Sequence, residues 1–191
     1  MTGGKISTYK EIALWNSGIL NMSGTAQIIA EDGAYGALYC SGENTVATIT
    51  SGTIISGGGP ALDITNEYPK INISGTTRIE CTGDQSTIAN SGDLTITGGN
   101  ISATNGYAIR NYATGVLNIS GTVLIEGIGN NPTIFNNGYN TKYATATITG
   151  GSISATNNYA IQNGQYGTVY LSSNCSVTGG TDGTITPYSG T

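Results

Sequence analysis

Histidine is missing from all 191 residues. Its absence removes His-based catalytic triads, imidazole metal sites and the commonest general base together. Charge is scarce as well: Asp, Glu, Lys and Arg make up 9% of the chain, against roughly 25% in ordinary soluble domains. The basic residues are Lys5, Lys10, Lys70, Arg78, Arg110 and Lys142, and the net charge is −5. No cationic stripe can therefore neutralise phosphates, which argues against nucleic acid or an anionic membrane surface as partner. Three cysteines, Cys40, Cys81 and Cys175, are odd in number and far apart. That is neither a disulfide framework nor a metal-ligand spacing, and small buried side chains are the expected role. No apolar run approaches the ~18 residues of a membrane span, so no membrane insertion is expected. No charged-then-apolar leader opens the chain. No stripe at i, i+3, i+4, i+7 marks a helix.

What the chain has in abundance is Gly, 30 residues of it, together with Thr, Ser, Asn and recurring Ile and Val. The β-branched residues argue against disorder. They fall in a repeat. TITGGNISATNGYAIRN, residues 95–111, returns 52 residues later as TITGGSISATNNYAIQN with 14 of 17 positions unchanged. The Gly after an apolar–Ser/Thr pair recurs at Gly3, Gly24, Gly52, Gly75, Gly98, Gly121 and Gly150, with Ser173 in the eighth place. The steps are 21, 28, 23, 23, 23, 29 and 23 residues. A modal period of 23 with two longer members is a solenoid with loop insertions.

A second ladder runs through IALWN, GALYC, PALDI, STIAN, YAIRN, PTIFN, YAIQN and GTITP, centred on Leu14, Leu38, Leu62, Ile88, Ile109, Ile134, Ile161 and Ile185. Each unit reads as three short strands: xLTIT, then xIS or xIE past the Gly turn, then AIxN. Gly, Asn, Asp and Pro occupy the corners. The expectation is an all-β, right-handed parallel β-helix of about eight coils, one domain over residues 1–191. Two residues past the ladder stand Asn16, Cys40, Ile64, Asn90, Asn111, Asn136, Asn163 and Pro187. Five Asn of eight in one column predict side chains that hydrogen-bond from coil to coil.

Units of the form LTITGGxISA…AIxN resemble the pectate-lyase-like β-helix repeats of long, exported bacterial surface and adhesin-like proteins. The resemblance covers nearly the whole chain and concerns architecture, because the pattern encodes stacking. It implies an extracellular, cell-surface location and a stalk or adhesive module. Partners would then be host or dietary glycans or cell-surface proteins.

The enzymes of such a fold give the alternative reading, a polysaccharide lyase or glycosidase. Glu80 and Glu126 occupy matching places two coils apart, with Ser102 in the coil between. That is about 9.6 Å at the strand spacing, at the far limit for a glycosidase pair. Arg78 and Arg110 lie in different parts of their coils, and no lyase motif accompanies them. No catalytic residue is therefore named and no enzyme is expected. Glu43, Glu67 and Asp93 are placed in the corners after the third strand of successive coils. Calcium through their oxygens is the one cofactor considered, although no dense D-x-D-G spacing supports it and corners are where solvated charges go.

Twelve of the fourteen aromatic residues are Tyr. Tyr68, Tyr112, Tyr139, Tyr143 and Tyr166 are placed in the corner after the third strand. Trp15, Tyr39 and Phe135 take the outward slot after the buried aliphatic, with Trp15 and Tyr39 on adjacent coils. Flat rings with a polar tip suit sugars and protein epitopes alike, and equally cover a solenoid face without any ligand. Thr48/Thr50, Thr95/Thr97 and Thr147/Thr149 form a T-x-T array that raises ice binding as another alternative, interrupted by Asn21/Ser23, Asn72/Ser74 and Asn118/Ser120. The chain opens inside a coil and closes after the last ladder position without a capping helix. A segment of a longer protein, or end-to-end self-association into a fibre, is expected on that account.

Overall fold

The computed structural model describes residues 1–187, so the last four residues of the expected domain lie outside the described part. Its strands fall into three eight-stranded parallel sheets, each strand of a sheet coming from a different coil. Sheet 1 holds the xLTIT strands: β3 (Ile19–Met22), β6 (Val46–Ile49), β9 (Lys70–Ile73), β12 (Asp93–Ile96), β15 (Val116–Ile119), β18 (Ala144–Ile148), β21 (Gly167–Leu171) and β24 (Ile185–Pro187). Sheet 2 holds β1 (Lys5–Thr8), β4 (Gln27–Ala30), β7 (Thr53–Ser56), β10 (Arg78–Cys81), β13 (Asn100–Ala103), β16 (Leu124–Gly127), β19 (Ser152–Ala155) and β22 (Ser176–Thr178). Sheet 3 holds β2 (Ile12–Asn16), β5 (Gly36–Cys40), β8 (Leu62–Ile64), β11 (Ile88–Asn90), β14 (Ile109–Tyr112), β17 (Ile134–Asn137), β20 (Ile161–Asn163) and β23 (Thr181–Asp182). The chain is a parallel β-helix, as the repeat predicts. No helix among the described residues is long and apolar enough to cross a membrane.

Period-2 alternation sends every second residue inward, and parallel stacking lays like on like. Sheet 1 buries Met22, Ile49, Ile73, Ile96, Ile119 and Ile148; sheet 2 buries Ile28, Ile54, Ile79, Ile101, Ile125 and Ile153. Sheet 3 buries Leu38, Leu62, Ile88, Ile109, Ile134 and Ile161, while Leu14, on the first coil, is half-buried. Each of these side chains contributes about 1.5–3 kcal/mol through removal from water. Together they form one continuous core. Cys40 and Cys81 are buried free thiols and Cys175 is half-buried, in keeping with small hydrophobic filling.

One rung departs from the repeat. Ile161 pairs with Thr181, and Ile185 pairs instead with Val169 in sheet 1. The eighth member of the sheet-3 ladder is therefore Thr181, and Pro187 stands beside Leu171, not in the Asn column. The final coil is short, so GTITP arrives one strand later than its resemblance to YAIQN implies. From 161 to 181 is 20 residues, whereas earlier sheet-3 rungs stand 21 to 27 apart.

The Asn column forms where Asn is consecutive. Asn90 Nδ2 donates to Asn111 Oδ1 at 2.7 Å, Asn111 Nδ2 to Asn136 Oδ1 at 2.7 Å, and Asn136 Nδ2 to Asn163 Oδ1 at 2.9 Å. Cys40 and Ile64 interrupt the column, leaving Asn16 to accept from the Gly18 N–H and to donate to the Val46 carbonyl. This ladder fixes the corner between sheets 3 and 1, which is the corner that carries the candidate site.

Candidate functional site

Corners between sheet 3 and sheet 1 differ in length, and the difference makes a notch. Between β11 and β12 the corner is only Ser91 and Gly92, whereas residues 65–69 bridge β8 to β9, 113–115 bridge β14 to β15, and 138–143 bridge β17 to β18. The short corner sits low between taller ones. The result is a groove of about 470 Å³ with Ser91 in its floor, Asn66 and Glu67 at one end, and Tyr112, Tyr139 and Lys142 at the other. That volume falls within the usual range of small-molecule sites, about 300–1,000 Å³.

The tall end is built with care for its backbone. Tyr139 and Lys142 exchange two backbone hydrogen bonds of 2.9 Å, and the residues between them, Asn140 and Thr141, have φ of 48° and 67°. Positive φ at both central positions matches the hairpin turn of the I′ kind, for which Asn is suited and Thr is not. Ala113 is left-handed too, at 56°. Three of the four non-Gly residues with positive φ among the described residues lie in the groove wall or beside it. Such strain persists where surrounding structure enforces it, and it gathers at functional sites. Here it aims Tyr139 at Tyr112, ring centroids 5.7 Å apart and tilted by 42°. Arg110 extends its guanidinium over Tyr112 at 5.0 Å from the ring centroid, and Thr114 Oγ1 donates to the Ser91 carbonyl at 3.0 Å.

Of the aromatic residues singled out in the sequence, Tyr112 and Tyr139 are brought together at the groove. Tyr112 ends strand β14 and is not in the turn beyond it. Tyr143 and Tyr166 form a second pair, T-shaped at 5.7 Å. Tyr68 is exposed in the corner of residues 65–69 without lining the groove. Trp15 and Tyr39 meet on the outer face of sheet 3, edge to face at 4.8 Å, with Trp15 Nε1 donating to Ser41 Oγ at 3.0 Å.

The acidic residues do not assemble. Glu43 and Glu67 are exposed in corners, but Asp93 is the first residue of β12, in register with Lys70 and Val116. Among the described residues no group of three or more His, Cys, Asp or Glu is placed to hold a metal ion. The stacked corner column expected of Glu43, Glu67 and Asp93 is therefore not formed, because Ser91–Gly92 is too short to carry Asp93 past the strand boundary. In sheet 2, Glu80, Ser102 and Glu126 stand in successive register positions, and Glu80 is ion-paired with Arg78. No protein-family model, curated protein or solved structure matches the chain, so the geometry alone carries the functional reading.

Sequence reasoning missed the floor and one wall of the groove: Ser91, Ala113, Thr114, Asn140 and Lys142. The one signal for it was the 29-residue step from Gly121 to Gly150, which marks an insertion and so the tall corner.

Proposed function

We propose that this chain is a non-enzymatic, extracellular repeat module of a bacterial surface protein that holds carbohydrate in the corner groove, as an adhesive section of a longer stalk. The Tyr112–Tyr139 pair, set over a groove with Asn66, Glu67 and Lys142 on its walls, is the observation that carries this reading. Sugars present apolar ring faces and a fringe of hydroxyls. Tyrosine rings cover the first, and amide, carboxylate and ammonium groups pair with the second. The neutral, hydroxyl- and amide-rich surface accords with glycan partners, and weak contacts gain strength when units repeat along a parent chain.

Labelled protein on an array of soluble glycans and insoluble plant and mucin polysaccharides tests the proposal. Saturable retention is expected, falling about tenfold in the Tyr112→Ala/Tyr139→Ala variant if each ring contributes ~0.5–1.5 kcal/mol. Equal retention by wild type and variant would remove the groove from consideration. A parallel arm with chelator reads calcium dependence directly.

A second reading is favoured by register. Asn21, Thr48, Asn72, Thr95, Asn118 and Thr147 occupy one outward column of sheet 1, so T-x-T and N-x-S rows alternate over six coils. A flat, neutral grid of this kind suits an ordered surface such as ice. Thermal hysteresis in a freezing assay is the expected sign, and a solution that freezes like buffer ends that reading.

A further inference from the structure

The outward column of sheet 3 reads Trp15, Tyr39, Asp63, Ala89, Arg110 and Phe135 on successive coils. Bulk stands at both ends. Trp15 and Tyr39 pack at 4.8 Å, Phe135 stacks on Tyr107 at 5.5 Å, and Ala89 in the middle has no side chain beyond Cβ to fill the space. From Tyr39 to Phe135 is four coil spacings, about 19 Å, and the low stretch between them is floored by Asp63 and Ala89. Arg110, at the far side of Ala89, is drawn toward Tyr112 by its cation–π contact.

Asp63 is the unusual member. It is half-buried, yet among the described residues it has no ion-pair partner, and burial alone, with no hydrogen bond or neighbouring charge, perturbs its carboxyl. A desolvated carboxylate without donors is costly, and its oxygens remain open to a ligand. Burial pushes its carboxyl up to about 6. Of the strands on either side, β5 faces it with Tyr39, while Cys40 points inward beside Ile64 with its thiol raised by burial to about 12, so that side brings no charge; β11 offers Ala89. The nearest charged position in the column is Arg110, two strands away, and Glu67 lies in the corner that follows β8.

We propose that this face is a second carbohydrate subsite, separate from the corner groove, which takes a neutral oligosaccharide laid along the solenoid axis. One ring rests against the Trp15–Tyr39 edge and the hydroxyls of the next donate to the Asp63 carboxylate. The ligand supplies the donors that the fold withholds. Hydroxyl groups prefer the ionised acceptor, so affinity weakens as Asp63 takes up its proton. The subsite does not depend on the groove, and one residue reports on it alone: Trp15 is the only tryptophan.

The test is tryptophan fluorescence during titration with cellotetraose, mannotetraose and xylotetraose, at about pH 8 and about pH 4.5, on either side of the Asp63 titration. At least one probe is expected to perturb Trp15 saturably, binding about fivefold or more tightly at the higher pH. Asp63→Asn, which keeps one carbonyl acceptor and loses the charge, is expected to bind about tenfold more weakly and to lose the pH dependence. Silence of Trp15 with all three probes at both pH values overturns the proposal. So does an Asp63→Asn variant that keeps the wild-type affinity and pH profile.

The fold of that variant is checked by its melting temperature. Because the folded-state pKa of Asp63 is raised, the native state binds more protons than the unfolded one between the ordinary carboxylate range and about 6. Stability is thus greatest below that window and falls as pH rises through it. Asp63→Asn should melt higher than wild type at about pH 8 and level with it at about pH 4. A lower melting temperature at the higher pH would mean that Asp63 already has its partner within the fold, which also overturns the proposal.

Discussion

Asn111→Ala is expected to lower the stability of the rod by about 3 kcal/mol, enough to bring its melting temperature down by roughly 10 °C for a chain of this size. Asn111 is completely buried. Its Oδ1 accepts from Asn90, and its Nδ2 faces three acceptors: Asn136 Oδ1 at 2.7 Å and the carbonyls of Gly115 and Thr145 at 3.0 Å each. After truncation, Asn90 still donates to the Val116 carbonyl, and Asn136 still donates to the carbonyls of Ala144 and Thr168 and to Asn163. Asn136 Oδ1 loses its donor. An orphaned buried acceptor costs about 1–3 kcal/mol, and the vacated volume adds to it.

The same column supplies the control. Cys40 and Ile64 occupy it as fully buried apolar residues, so the position does not demand Asn as such. What costs is a polar neighbour left without its partner, whereas apolar next to apolar is tolerated. Asn16, beyond the interruption, has Cys40 in place of Asn on its neighbouring coil; it bonds Gly18 and Val46 and meets the weakly bonding Cys40 thiol. Asn16→Ala should cost about 1 kcal/mol, a third of the Asn111 effect. Thermal or urea unfolding followed by circular dichroism reads both. Equal losses at the two positions would mean that ladder cooperation contributes nothing.

Most of the architecture was legible because a solenoid writes its packing as recurrence. The inward Ile and Leu columns, the three strands per coil and the Asn ladder all follow from one alternating pattern repeated. The reading failed at Ile185 for a related reason. T-I-T is good chemistry for a strand of sheet 1 and of sheet 3, and only the length of chain since the previous rung decides which sheet receives it. The groove was hidden for the opposite reason, since it arises where coils differ. Its depth comes from unequal corners, and its wall from left-handed Ala113, Asn140 and Thr141, residues that do not advertise that conformation as Gly would. Asp63 was visible only as the residue after Leu62. Its isolation depends on Tyr39 and Ala89 standing on either side, which is a property of register and not of spacing within the coil.

The largest single loss is expected from Gly59→Ala, about 4 kcal/mol or more. A Cβ on Gly59 would lie 1.8 Å from the Tyr35 carbonyl oxygen and 2.3 Å from its carbon, both backbone atoms of the coil below. No rotamer relieves such a contact, so the coils themselves must part. Parting strains the Gly59 N–H bond to the Ala34 carbonyl at 2.9 Å and the Ala37 N–H bond to the Pro60 carbonyl at 3.1 Å. Two ladder bonds at ~1 kcal/mol each, added to 1–3 kcal/mol of overpacking, give the figure. SGGGP is thus a place where one backbone lies directly on another. Gly33, in the corner beneath, separates this steric demand from a conformational one. Its φ is +82° and nothing lies within 4 Å of a Cβ built there. Gly33→Ala should therefore cost only the left-handed penalty of about 1–2 kcal/mol. Because each coil touches only its neighbours, a parted third coil also divides the stack. Limited proteolysis of Gly59→Ala is expected to cut near that corner, whereas Gly33→Ala should resist as wild type does. If both variants unfold at the same urea midpoint, the backbones are not in contact and the glycines serve turning alone.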